Sequence, residues 1–103
     1  MATVMIDFAK AKELAFKKLE EIQGKSVIRL TLLESETVTF KYGWVFFYQS
    51  EEFVRTGDES QMVGGNAPFI VDKYTGMVIM AGTSKDVQHY IEIFTKFRDE
   101  WYL

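Results

Sequence analysis

His89 is the only histidine, and there is no cysteine to act beside it. A metal centre needs several His, Cys or carboxylate ligands held together, and nothing near His89 in the sequence supplies that set. A serine nucleophile would need the same imidazole, and no Gly-x-Ser-x-Gly elbow is present. His89 therefore reads as a surface residue. Gly64-Gly65 lacks the Lys-Ser/Thr and helix start that cradle phosphate, so it reads as a turn. The carboxylates Glu51, Glu52, Asp58 and Glu59 form an acid-rich segment. As an acid/base pair they would need a set separation and unequal environments, which sequence does not reveal. They read either as a solvated acidic loop or, with Gln61, as a surface that meets a partner. No catalytic residue, metal ligand or cofactor is assigned.

The aromatics Trp44, Phe46, Phe47 and Tyr48 would suit base stacking only among basic neighbours. Their neighbours are Glu51 and Glu52, so core packing is expected. The formal net charge is −3 and unevenly spread. Residues 1–33 carry +2, residues 34–66 carry −4 and the remainder −1. An acidic middle is ill suited to phosphate backbones and better suited to a basic protein surface. A chain of 103 residues, 48% hydrophobic, is expected to form a single domain over 1–103. The absence of cysteine fits a reducing compartment. No basic start precedes an apolar run, and no stretch reaches the roughly 20 apolar residues of a membrane helix. The expectation is a cytoplasmic protein that binds neither nucleic acid nor membrane.

The elements that would position these residues follow from periodicity. Phe8, Ala11, Leu14, Ala15, Leu19 and Ile22 share one face of a helix over 7–23, with Asp7 as N-cap and Gly24 as terminator. Ile28, Leu30 and Leu32 alternate with Arg29 and Thr31 in a strand over 27–33. After a polar turn, Thr37 to Tyr42 alternates again, and Gly43 breaks the run. Trp44 to Gln49 is the strongest strand, apolar on both faces and hence central. Trp44 and Phe46 are expected to pack with Leu19 and Phe94. Ser50 caps a short helical turn ended by Gly57, and a loop runs to Pro68. Phe69 to Asp72 and Met77 to Ala81 pair across a turn closed at Gly76. Thr83 and Asp86 stand at capping-box spacing before a last helix striped by Val87, Tyr90, Ile91, Phe94, Phe97 and Trp101. The fold class is α+β: a small, mostly antiparallel sheet of four to five strands, in the order α-β-β-β-β-β-α. Two such helices can cover one sheet face. A bare second face would favour a homodimer.

The motifs Gly43-Trp44-Val45-Phe46-Phe47, Thr56-Gly57-Asp58, Gly65-Asn66-Ala67-Pro68-Phe69-Ile70-Val71-Asp72 and Thr75-Gly76 occur in that order. In this order they resemble the YrhB-like family, also called immunity protein 35. The resemblance implies a small bacterial protein that binds and neutralises a cognate toxin domain without enzymatic activity of its own. The motif residues Gly43, Trp44, Gly57, Asn66, Pro68, Asp72 and Gly76 read first as organisers of the backbone. Glu51, Glu52, Asp58, Glu59 and Gln61 are the expected toxin-facing residues. A general protein-binding or chaperone-like role, using an exposed apolar sheet face, is the alternative.

Overall fold

The computed structural model describes residues 5 to 101, the Trp101 side chain excepted. Helix α1 spans Phe8–Gln23. Its first turn is capped by Asp7, whose side chain accepts from Lys10 N, and Gly24 N–H closes its end on Glu20 O. Strand β1 (Leu30–Leu32) and strand β2 (Val38–Phe40) flank a 3₁₀ turn at Glu34–Glu36. Strands β3 (Gly43–Phe46) and β4 (Tyr48–Ser50) follow, then helix α2 (Glu51–Thr56) and a second 3₁₀ turn at Glu59–Gln61. Strands β5 (Phe69–Asp72) and β6 (Val78–Met80) lead to helix α3 (Val87–Trp101).

All pairing among the described residues is antiparallel: β2-β3-β5-β6 make one sheet, and β1-β4 a two-stranded ladder. The α+β class and the two terminal helices stand as expected. The strand read over 44–49, however, is divided at Phe47 and serves both sheets. Register explains the break. Between the Leu32–Tyr48 and Val38–Val45 pairs, residues 33–37 on one side face only Phe46 and Phe47 on the other. The surplus is taken up by the first 3₁₀ turn, while Leu33 N–H still donates to Phe47 O at 2.8 Å. A bulge of this kind bends the hairpin and turns its far half out of the main sheet.

Strand β3 is central, as its two apolar faces require. Gly43 permits its close pairing with β5: a Cβ there would lie 2.0 Å from Val71 O. On one face Trp44, Phe46 and Tyr48 pack with Phe69, Val71 and the α1 residues Ala11, Ala15 and Leu19. The alanines let the helix approach the sheet closely. On the other face Val45 and Ile70 pack with Ile91 and Phe94 of α3. The helices therefore sit on opposite faces. Trp44 and Phe46 meet Leu19 as expected but not Phe94, because alternation along β3 sends Val45 alone toward α3. With both faces of β3 and β5 covered, the bare sheet face invoked for a homodimer loses its basis. So does the apolar sheet face of a chaperone-like role.

Two details of the last helix differ from expectation. Asp86, and not Thr83, accepts from the start of α3, through His89 N–H at 3.1 Å. Phe97 is half exposed, and the inward position one residue on belongs to Arg98. Trp101, assigned to the same stripe, has its side chain outside the described residues.

Candidate partner-binding cleft

Segment 51–68 is held on the β1–β4 ladder by three side chains that grip backbone. Gln49 is buried, and its amide copies a neighbouring strand: Nε2 donates to Val63 O at 3.2 Å and Oε1 accepts from Val63 N at 2.6 Å. Ser50 Oγ accepts from Phe53 N at 3.0 Å, capping α2, and donates to Gln61 O at 2.6 Å. Asn66 Nδ2 donates to Tyr48 O at 2.9 Å. Gly57 ends α2 in the left-handed region, at φ +73°, where a side chain is strained. On the other side Gln23 fixes the approach to β1, donating to Ile28 O at 2.6 Å and accepting from Leu30 N at 2.7 Å.

Between that approach, α2 and residues 60–64 lies a cleft of about 840 Å³. Four apolar side chains line it while remaining open to solvent: Val27 is 93% exposed, and Ile28, Val54 and Met62 are each 50% exposed. Two ion pairs edge it. Arg29 Nε lies 3.4 Å from Glu51 Oε2, and Arg55 pairs with Glu52 along one turn of α2. Exposed pairs contribute roughly 0–1 kcal/mol, so their effect is to order the rim.

Of the residues expected to face a partner, Glu51, Glu52 and Gln61 line this cleft. Asp58 and Glu59 are exposed at the start of the second 3₁₀ turn, beside the lining residue Ser60. The Asp58 carboxylate accepts from Ser60 Oγ at 2.7 Å and Ser60 N at 3.0 Å, and these bonds hold its pKa below the ordinary value. The acidic segment is thus two unlike halves, one already paired with arginine and one not. The sequence reading missed Val27, Ile28, Val54 and Met62. Alternation puts Ile28 on a buried strand face, but the strand begins only at Leu30 and Ile28 stays open to solvent. Two adjacent β-branched residues ahead of Arg29 were the available signal.

A second concentration of charge lies at the other end of the sheet. Arg98 is 4% exposed and Asp72 3%. Arg98 Nη2 donates to Asp72 Oδ1 at 3.2 Å, and Nε lies 3.2 Å from Oδ2. The guanidinium lies against both the Tyr42 and Tyr74 rings, 5.6 and 5.5 Å from their centroids. Asp72 also accepts from Tyr74 N at 2.8 Å, closing the turn as expected, and Gly76 N–H donates to Asp72 O at 2.7 Å. Enclosed in this way, the pair joins α3 to the β5–β6 turn and offers no open position to a substrate. His89 is exposed on α3, edge-on to Tyr90. Among the described residues no group of three or more His, Cys, Asp or Glu stands close enough to hold a metal ion. None of the described helices is long and apolar enough to cross a membrane.

Comparison with known proteins connects this architecture to a family. The chain is 43% identical, over 53 residues, to the Escherichia coli K12 protein named "Uncharacterized protein YrhB". That match covers 52% of this chain and 56% of the relative, so it spans little more than half of either. No solved structure matches the chain. The family model described as immunity protein 35 matches residues 9–92, from α1 through the first half of α3. This range takes in the cleft, its three backbone anchors and Asp72, and the chain belongs to the immunity protein 35 family.

Proposed function

We propose that this protein is a non-enzymatic cytoplasmic inhibitor that binds one cognate bacterial toxin domain and blocks its action. Family membership supports the immunity role. The observation that carries the choice of surface is the cleft beside α2, where exposed apolar side chains and charged groups stand together on a pinned segment. The toxin-facing residues are Glu51, Glu52, Asp58, Glu59 and Gln61. Toxin domains that act on nucleic acid present basic clefts to their substrates, and an acidic partner surface speeds encounter with such a cleft.

Affinity isolation from the native host, identification of the bound protein and assay of its activity test this reading. The expected outcome is stoichiometric loss of toxin activity on adding the inhibitor. Replacing Glu51, Glu52, Asp58 and Glu59 by Lys is expected to weaken binding and to flatten its dependence on salt, since exposed charges are screened over about 8–10 Å near physiological ionic strength. Unchanged affinity and an unchanged salt slope, in a variant shown by circular dichroism to be folded, would move the interface elsewhere.

A further inference from the structure

The exposed apolar side chains of this protein are not equivalent. Phe8 is 43% exposed, but its ring packs against Trp44 and Phe46 and so belongs to the margin of the core. Met77 precedes the outer strand β6 and Met80 ends it, apart from the cleft. Val27, Ile28, Val54 and Met62 differ in kind. They come from three separate segments and converge on one concavity, and hydrogen bonds from Gln23, Gln49 and Ser50 fix the backbone of those segments at Ile28, Val63, Phe53 and Gln61. Fixing the backbone that carries exposed apolar groups before contact lowers the ordering cost of binding, and burying those groups under a partner is favourable.

Charge then selects the occupant. Within the cleft Arg29 and Arg55 balance Glu51 and Glu52. The uncompensated charge stands at the second 3₁₀ turn, where Asp58 and Glu59 are exposed and, among the described residues, neither forms an ion pair with a basic side chain. We infer that the cleft seats an apolar anchor side chain of a partner polypeptide, and that a Lys or Arg flanking the anchor is received by Asp58 and Glu59. The inference rests on the reading that the α2 surface meets a protein, and it gives that partner's chemistry. Apolar contact supplies the affinity, and the acidic turn sets the orientation and the rate of encounter.

A random-peptide phage library panned on the full chain tests this without the toxin. Enriched peptides are expected to place Leu, Ile, Phe or Met beside Lys or Arg. Measured by fluorescence anisotropy, their affinity is expected to fall about tenfold or more for Val54→Asp, a change of about 1.4 kcal/mol. Val27→Asp, at a nearly fully exposed position that places no demand on folding, is expected to act in the same direction. Asp58→Asn with Glu59→Gln is expected to leave binding weaker and less sensitive to salt. No enrichment, or peptides that bind Val54→Asp and Val27→Asp as tightly as the parent, would overturn the inference. If the peptides behave as expected while the isolated toxin binds Val54→Asp normally, the cleft inference stands and the toxin docks elsewhere. If the toxin is neutralised and the library yields nothing, immunity stands and the cleft inference falls.

Discussion

Arg98 shows how one residue can be hidden in a pattern. The inward stripe of α3 is Val87, Ile91, Phe94 and Arg98, at spacings of four, three and four, and a charge on that stripe was the signal of a buried pair. Asp72 was legible as a turn closer because its local partners, Tyr74 N–H and Gly76 N–H, follow within four residues. Its distant partner was not, since nothing in sequence marks a contact 26 residues away. Arg98→Met is expected to cost about 3–5 kcal/mol in a denaturant melt, because it leaves the Asp72 carboxylate buried without its cation. Nearby, Tyr42 Oη and Lys41 Nζ both donate to Asp99 Oδ1, the lysine at 3.1 Å. The Tyr42 bond, then the lysine, lowers the Asp99 carboxyl below its ordinary 3.8, and the same Tyr42–Asp99 bond raises the phenol above 10.0. The carboxyl's contribution is therefore complete above 3.8 and is lost as pH falls through the folded value beneath it. The phenol's is complete below 10.0 and is lost as pH rises through the folded value above it. Thermal melts of Asp99→Asn are expected to lie below the parent at neutral pH and to converge with it in strong acid.

At the scale of elements, helices with local punctuation were read nearly to the residue. Asp7 and Gly24 bound α1, and Ser50 and Gly57 bound α2, because caps act within a turn of the chain they stop. The divided hairpin was not legible. Alternation at Trp44, Val45, Phe46, Phe47 and Tyr48 gives the facing of each side chain, and every one is as read, but it carries no information about register across the ladder. The cleft shares that limit, since its walls come from separate segments joined by long-range contacts such as Arg29–Glu51, Gln49–Val63 and Ser50–Gln61. Gln49→Ala removes both bonds to Val63 while leaving the strand pairs of β4 in place. Amide hydrogen exchange is expected to quicken at Val63 and its neighbours, with β3 and β5 amides unchanged. Uniform quickening would mean that the amide supports the whole fold instead.

For the whole molecule, placing α1 and α3 on opposite faces of the sheet decides which surfaces are free. The aromatics of the doubly apolar stretch 44–48 are spent within two separate cores, one under each helix. Light scattering at high concentration is expected to give a monomer, and a dimer mass would direct attention to the outer edge of β6.

The grip on residues 61–63 falls on their main chain: Gln49 holds the N–H and C=O of Val63, and Ser50 holds the C=O of Gln61. From Glu51 to Met62 only Phe53 is shielded from solvent. Apart from Phe53 and Gly57, side-chain identity in that stretch places little demand on the scaffold beneath it. On the function proposed above, those positions set the choice of toxin, while Gln49, Ser50 and the sheet supply a frame that does not depend on it. Transplanting the stretch from one relative to another should carry the choice of adversary with it.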